Sequence, residues 1–391
     1  MVPKLRFGEF SSPWDKLNLE VVSSYIKGFA FKSQDYADQG ERIIRVSDLL
    51  SDSIKTQNEK IYISKLKVDD LKKYKIKSGE IIITTVGSKP ELRDSAVGRA
   101  IFVREDGIGY LNQNLLKLTA NKGFNSAFIY MSISGNRYLS HIENIQRGNA
   151  NQSNITVSDL LEFPLFCPNE DEQLKLGLFL TAVDDKISQL TKKHELLTLY
   201  KKGVMQKIFS QELRFKDDMG REFSDWNTIT FYKVFTVSNL KELQVQSSKY
   251  LSSGSVPIVD QSNKKTAGWI NSDITYKDLP VVIFGDHTRI VKWVDYEFRP
   301  GADGTQILKA NDSFDPKFCY YTLTNIELPN LGYSRHLKEL KEISFSVPSY
   351  INEQTKIANF LTAIDDKITN LKSQLEAAKE YKQGLLQQMF V

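Results

Sequence analysis

Two kinds of residue cluster in this 391-residue sequence could carry out chemistry. Gly285, Asp286 and His287 place a carboxylate beside an imidazole, the composition of a general acid–base pair. Two Asp-Asp-Lys triplets, at 184–186 and 365–367, could supply paired carboxylates. No nucleophile motif accompanies any of them, and adjacent residues point in different directions on a strand or a helix. We therefore interpret the triplets as solvated helical faces, and residues 285–287 as either a ligand-facing loop or a structural turn.

The motifs of enzymes that act on DNA or nucleotides are missing from the sequence. It contains neither an Asn-Pro-Pro-aromatic motif with a glycine-rich cofactor strand nor a GxxxxGK[ST] phosphate loop, and no HExxH zinc motif. Cys167 and Cys319 do not form a CxxC pair, and the four histidines are scattered. We expect no catalytic residue, no metal and no cofactor in this chain.

Composition favours a folded protein of the cytoplasm. The hydrophobic fraction is 41%, the charged fraction 26% and the formal net charge +4, which is only mildly basic. Two unpaired cysteines suit a reducing compartment. The N-terminus has no apolar core of a signal peptide, and no apolar run approaches the roughly 18 residues that span a bilayer. We therefore expect a cytoplasmic location.

Several glycine-rich polar loops carry the side chains that read base edges in DNA. Arginine, lysine, asparagine and glutamine can form bidentate hydrogen bonds with bases, and loops on a rigid scaffold usually carry such residues. Ordinary turn chemistry explains each loop equally well, and the basic segment 65–77 could follow phosphates or be a solvated face. The candidates for contact with DNA are Ser88, Lys89, Arg93, Arg99, Arg147, Asn149, Asn151, Gln152, Asp286, His287, Thr288, Arg289, Gln306, Arg335, His336 and Lys338.

Strands and helices must position these loops. β-branched and apolar runs predict strands at 80–86, 100–104, 279–284, 291–294 and 305–308. Helices are predicted at 127–139 and 317–325. Both loop-bearing regions are therefore mixed α and β.

An internal repeat organises the whole chain. FLTAVDDKIS at 179–188 and FLTAIDDKIT at 360–369 agree at eight of ten positions, and Glu-Gln upstream and YKxG downstream match at the same offset of 181 residues. A weaker repeat, Leu-Arg-Phe followed by Glu-Phe and Trp, opens each half at 5–14 and 213–226. We call the repeated openings and repeated helical segments the frame. The regions between them are dissimilar, so the frame is duplicated while the two regions that it encloses differ.

The repeated segments predict two long helices. Apolar residues recur every three to four positions from 171 to 209 and again in the second copy, and the stripe continues over several heptads. We favour an antiparallel pair within the chain over pairing in a homodimer. The residues expected at the helix–helix seam or in partner docking are Leu176, Leu180, Val183, Ile187, Leu190, Ile357, Leu361, Ile364, Ile368 and Leu371.

The chain resembles the specificity subunits of type I restriction–modification systems. The resemblance rests on the two Glu-Gln to YKxG helices, the two Leu-Arg-Phe…Trp openings, and the segments 148–155 and 332–337 before each helix. The proline-rich run that usually precedes Glu-Gln is thinned in both copies. The resemblance implies an α+β, pseudo-two-fold fold in which target recognition domains at 1–168 and 211–350 are joined by antiparallel coiled-coil helices at 169–210 and 351–391.

The resemblance also implies a function and partners. Each domain would read one half of an interrupted site in double-stranded DNA. Two methyltransferase subunits would bring S-adenosylmethionine and methylate adenine N6, and two restriction subunits would bring ATP-driven translocation, Mg and cleavage. A coiled-coil scaffold that binds proteins through its variable domains is the alternative function, and a self-sufficient modifying enzyme is a third.

Overall fold

The computed structural model describes residues 2–50, 53–55, 58–88, 97–149, 152–329, 332 and 334–390. The chain divides into two compact units, residues 1–191 with 373–391 and residues 192–372. Each unit contains part of both long helices. Among the described residues, no helix is both long enough and apolar enough to cross a membrane.

The first unit packs short helices against several small sheets. Its strands are β1 Asp15–Asn18, β2 Ser23–Lys27, β3 Tyr36–Ala37, β4 Glu41–Ile44, β5 Ile61–Ile63, β6 Ile81–Thr84, β7 Val86–Gly87, β8 Ala100–Phe102, β9 Tyr110–Leu111, β10 Leu115–Ala120, β11 Arg147–Asn149, β12 Gln152–Asn154 and β13 Pro164–Cys167. Its helices are α1 Leu19–Val22, α2 Ser126–Ser132, α3 Asn136–Ile145, α4 Val157–Leu161 and the start of α5 Glu170–Phe209. The sheets have the orders β1-β13, β2-β10-β6-β8, β11-β12-β7 and β3-β5-β4-β9.

The second unit repeats most of this architecture. Its strands are β14 Asn227–Thr230, β15 Phe235–Val237, β16 Val256–Val259, β17 Gly268–Ile270, β18 Val281–Gly285, β19 Val291–Val294, β20 Arg299–Pro300, β21 Thr305–Ala310 and β22 Ser344–Val347. Its helices are α6 Phe231–Val234, α7 Pro316–Thr324, α8 Leu337–Lys341 and the start of α9 Ile351–Met389. The orders β14-β22 and β15-β21-β18-β19 correspond to β1-β13 and β2-β10-β6-β8, and β17-β16-β20 completes the unit.

We call β6 and β18 the central strands of the corresponding sheets β2-β10-β6-β8 and β15-β21-β18-β19. Both are buried because their sequences are apolar on both faces. Every residue of β6, and every residue of β18, is buried. Both strands were predicted from this pattern. The helix predicted at 127–139 is wrong in its extent, because Ile133 leaves the helical region after α2 and Gly135 restarts the chain as the extended N-cap of α3. Two shorter helices bring Phe128 and Tyr138 to the same core.

The two long helices are confirmed, and within each unit they run antiparallel. In the first unit, Leu5 N–H donates to Gln388 O (2.9 Å) while Arg6 holds Glu172, so the end of α9 lies near the start of α5. In the second unit, Leu213 N–H donates to Lys207 O (3.0 Å) while Arg214 holds Glu353.

The predicted apolar stripe of both helices faces inward. Leu176, Leu180, Ile357 and Leu361 are at most 2% exposed, and they belong to the cores of their own units. The remaining stripe residues are buried or half-buried, namely Val183, Ile187, Leu190, Ile364, Ile368 and Leu371. The stripe is therefore used within the chain, as an intramolecular pairing requires.

The last two residues of each Asp-Asp-Lys triplet are exposed, and the first aspartate is partly exposed and paired with a lysine of the other long helix, as a helical face near the helix–helix seam predicts. Asp184 accepts from Lys382 Nζ at 2.6 Å, and Asp365 accepts from Lys201 Nζ at 2.6 Å. His194 and Lys201 interrupt the apolar stripe of the first helix, Lys382 stands at the position in the second helix that corresponds to Lys201, and these two lysines lie one repeat offset apart. The interruption therefore provides a charge partner for the opposite helix, which favours one register of the pair.

Candidate nucleic-acid interface

A buried ion pair joins the opening segment of each unit to its long helix. Glu172 is fully buried, and Arg6 donates from Nε and Nη2 to its two carboxylate oxygens at 2.7 Å each. Arg6 Nη2 also donates to Ser12 O at 2.7 Å. The hydrogen bond to Glu172 raises the pKa of Arg6, so the guanidinium stays charged against desolvation.

The second unit repeats this ion pair residue for residue. Arg214 donates to Glu353, which is fully buried, at 3.0 Å to each oxygen, and to Ser224 O at 2.7 Å. Trp226 Nε1 donates to the same carboxylate at 3.1 Å. The repeated Leu-Arg-Phe and Glu-Gln motifs are therefore two sides of one contact, a connection that the sequence reasoning missed although both motifs were recognised.

The glutamine of each Glu-Gln motif bonds to the N-cap residue of a core helix, α2 in the first unit and α7 in the second. Gln173 accepts from Asn125 N–H at 3.0 Å and donates to Pro168 O at 2.8 Å. Gln354 makes the same bonds, from Asp315 N–H at 2.9 Å and to Pro348 O at 3.1 Å. Asn125 and Asp315 cap α2 and α7, so each glutamine fixes a variable domain onto the repeated frame.

On this frame, the first unit brings two of the predicted loops into one sheet. β12 pairs with β7 through Ser153–Gly87 and Asn154–Val86, and β11 pairs with β12 in a hairpin. Strand β7, which follows β6, therefore lies in one sheet with residues 147–149 and 152–154, although more than fifty residues separate them in sequence.

In and around that sheet the predicted residues differ in exposure. Arg147 is 65% exposed and bonds to Asp159 at 2.9 Å, and Gln152 is exposed. Arg99 is 8% exposed and donates to the carbonyls of Leu49 and Leu50 at 3.2 and 2.9 Å, and Ser88 is 9% exposed. The backbone of Asn149 lies in β11, whereas Lys89, Arg93 and Asn151 lie outside the described residues.

The second unit brings together its predicted loops at the end of β18. The turn 285–290 meets the loop 301–306 through Asp286 N–H to Gly304 O (2.8 Å), and meets the segment 334–338 through His336 N–H to Asp286 O (2.8 Å). We call these three segments, with Gln261, the loop cluster. The loop cluster corresponds to the β7–β12 region of the first unit, because each follows the central strand and precedes the short helix, α4 or α8.

Gln261 and Asn239 support the loop cluster, and the sequence reasoning missed both. Gln261 accepts from His287 N–H at 3.0 Å through Oε1, and from the Thr288 hydroxyl at 2.6 Å through its carbonyl. Asn239 donates to Gln306 Oε1 at 2.6 Å. The polar run at 260–265, which follows β16 directly and contains Gln261, is the signal that could have indicated this loop.

A partly buried lysine anchors the loop that carries Gln261. Lys292 Nζ donates to the carbonyls of Asp260 and Lys264 at 2.6 Å each. Burial lowers the pKa of Lys292, and the Asp260 carboxylate opposes that shift. Burial and Asp260 also raise the pKa of Tyr250 to about 12.

Exposed and buried candidates are interleaved in the loop cluster. Thr288, Arg335 and Lys338 are exposed, and Arg289 adopts φ +60° while its Nη1 donates to Leu328 O at 2.8 Å. Asp286 is 3% exposed and His336 fully buried, and both bond to other parts of the cluster. Neither exposure nor these bonds test contact with DNA, so the DNA-contacting set remains a prediction.

His287 lies between two segments of the loop cluster. Its Nδ1 is 3.1 Å from Ser334 O, so that nitrogen carries the proton, and its Nε2 is 3.8 Å from Asp303 Oδ1. Within the described part of the chain, no group of three His, Cys, Asp or Glu side chains could hold a metal ion.

The sequence and the fold were compared with known proteins. Residues 11–198 match the family described as Type I restriction modification DNA specificity domain. The chain is 24% identical over 412 residues to the putative type I restriction enzyme MjaX specificity subunit of Methanocaldococcus jannaschii, covering 98% of this chain and 95% of the relative.

Two solved structures share the fold. The type I restriction-modification system S subunit from M. genitalium has a TM-score of 0.67 and 17% identity, covering 100% of this chain and 99% of the other. A chain from a type I R-M system, solved to explain complex assembly and conformational transition, has a TM-score of 0.50 and 15% identity, covering 97% of both chains.

Proposed function

We propose that this chain is a specificity subunit of a type I restriction–modification system, and that its two units each read one half of an interrupted DNA site. The match of residues 11–198 to the specificity-domain family and the similarity to the M. jannaschii relative over 98% of the chain support this proposal. The observation that carries the proposal is the duplicated frame. The ion pairs Arg6–Glu172 and Arg214–Glu353 occupy equivalent positions in the two units. The loops that follow β6–β7 in the first unit and β18 in the second unit also occupy equivalent positions, but their sequences differ. Different loops on one frame suit two different half-sites.

The catalytic steps fall to partner subunits. Two methyltransferase subunits would bind S-adenosylmethionine and methylate adenine N6, and two restriction subunits would bind ATP and Mg and cleave. A base inside a duplex must be flipped into a pocket before it is methylated, and that pocket would belong to the methyltransferase. The scaffold alternative finds no support in the family match.

DNA binding by the complex of this chain with its methyltransferase should depend steeply on salt. Phosphate contacts release counterions, so an interface with 6–10 such contacts loses roughly 10³-fold or more in affinity between about 50 and 200 mM salt. Arg335→Ala and Lys338→Ala each remove an exposed cation of the loop cluster. Each should make the plot of log K against log salt shallower, with the magnitude of its slope reduced by about 1. Fluorescence anisotropy with labelled duplex measures the slope.

Lys277→Ala is the matched control. Lys277 is exposed in the same unit and adjoins Asp278, which binds Lys309. Lys309 lies three residues along β21 from Gln306, roughly 10 Å at about 3.4 Å per residue. An unchanged slope in all three variants would contradict placement of the interface at the loop cluster. A complex that binds DNA without salt dependence would contradict the proposed function.

A further inference from the structure

Asp286 connects three segments of the loop cluster by itself. Its backbone N–H donates to Gly304 O at 2.8 Å. Its backbone carbonyl accepts from His336 N–H at 2.8 Å and from His336 Nδ1 at 2.9 Å. Its carboxylate Oδ1 accepts from Leu337 N–H at 2.8 Å, while Oδ2 is 3.5 Å from Gln306 Nε2. With 3% of its surface exposed, Asp286 is directed into the protein and not towards a ligand.

The carboxylate of Asp286 caps α8 from a distant part of the chain. Leu337 is the first residue of α8, and the side chain of the N-cap residue His336 makes no capping bond. In the first unit, α4 is capped from its own segment, because Thr156 Oγ1 accepts from Asp159 N–H at 3.1 Å. The orphan N–H groups of a helix start need such acceptors. In the second unit the cap comes from the turn after β18.

This cap replaces a strand pairing. In the first unit, the loop after the central strand and the segment before the short helix are joined by the β7–β12 ladder. Among the described residues of the second unit, no strand joins the turn 285–290 to the segment 334–338. Their relative position rests on the backbone bond from His336 N–H to Asp286 O and on side-chain bonds, and Asp286 takes part in most of these contacts.

We propose that Asp286 is a positioning residue that sets the specificity of the second unit. It acts by holding the turn with Thr288 and the segment with Arg335 and Lys338 in one arrangement. Discrimination between bases requires hydrogen-bonding groups placed against base edges to within a fraction of an ångström. The proposal rests on the proposed function, and it assigns Asp286 a role inside the protein in place of direct contact with a base.

Asp286→Ala removes the carboxylate cap and retains the backbone bonds. Loss of an N-cap shifts a helix-start equilibrium by roughly tenfold. We therefore expect about tenfold weaker discrimination at one or more bases of the half-site that the second unit reads. The other half-site should be read as before. Asp286→Asn keeps an acceptor oxygen for Leu337 N–H and should preserve the wild-type motif.

The experiment sequences methylated DNA from cells that express each variant with the methyltransferase. Asp278→Ala is the matched control, because its side chain is 66% exposed in the same unit. His336→Leu is the second variant, in case the alanine variant does not fold. It removes the Nδ1 bond to the Asp286 carbonyl and retains the backbone N–H bond, and it places an apolar side chain at a buried position. It should relax the same half-site.

The possible results distinguish failure of the inference about Asp286 from failure of the proposed function. Relaxation of one half-site in Asp286→Ala or His336→Leu, with Asp286→Asn and Asp278→Ala unchanged, supports the inference. Methylation that is reduced equally at all sites with an unaltered motif would show a merely structural role and overturn it. If the wild-type complex methylates no interrupted motif, the proposed function itself fails.

Discussion

Glu353→Ala is expected to destabilise the second unit by about 3–5 kcal/mol, the usual cost of removing one partner of a buried ion pair. The substitution leaves the guanidinium of Arg214 without its carboxylate, and it also leaves Trp226 Nε1 without its acceptor. For a unit of this size the unfolding midpoint should fall by roughly 10 °C, at about 2–4 °C per kcal/mol. Differential scanning calorimetry of the purified chain measures the midpoint.

Glu222→Ala provides the control for charge removal. Glu222 forms an ion pair with Lys216 in the same unit, but both side chains are more than half exposed. Exposed pairs contribute little because water screens them, so the change should stay within about 0.5 kcal/mol. Equal midpoints for the two variants would contradict the role assigned to Arg214 and Glu353 in the frame.

Phe128→Ala should destabilise the first unit by about 3–5 kcal/mol, the range for truncation of a buried phenylalanine. The Phe128 ring is fully buried, 5.6 Å from the Phe390 ring and 6.0 Å from the Trp14 ring. These three rings join α2, the end of α9 and the opening segment, so the cavity would weaken all three attachments. Chemical denaturation, followed by circular dichroism, measures the loss.

Leu66→Ala is the control for removal of apolar side-chain atoms in the first unit. Leu66 is 93% exposed, so its truncation creates no cavity and should change stability by less than about 0.5 kcal/mol. A Phe128→Ala variant as stable as Leu66→Ala would contradict the core described for the first unit.

The elements that depend on local pattern were predictable from the sequence. The helix expected from residue 171 begins at Glu170 and ends at Phe209, and β19 has the predicted bounds Val291–Val294. Hydrophobic periodicity predicts the bounds of such elements, because the apolar residues that form the buried face recur at a fixed spacing within the element. The break after α2 was missed, because residues 127–139 contain no proline and a single glycine, Gly135, and an isolated glycine is compatible with a helical pattern.

The contacts that assemble the candidate interface were not predictable in the same way. Arg6 and Glu172 are 166 residues apart, and Asp286 and Leu337 are 51 apart. Residue type alone does not distinguish a buried cap such as Asp286 from an exposed reader such as Arg335, since both occur in glycine-rich polar loops. Tertiary packing determines whether such a residue is buried or exposed, and the pattern of a single sequence does not show how distant segments pack.

The central claim is that each unit reads its own half of an interrupted DNA site. The most direct measurement is sequencing of methylated DNA from cells that express this chain with its methyltransferase, before and after residues 213–348 are exchanged for those of a relative. We predict an interrupted motif with methyladenine on opposite strands in its two parts, and a change in only one part after the exchange. A change in both parts, or an assembled complex that methylates no such motif, would contradict the claim.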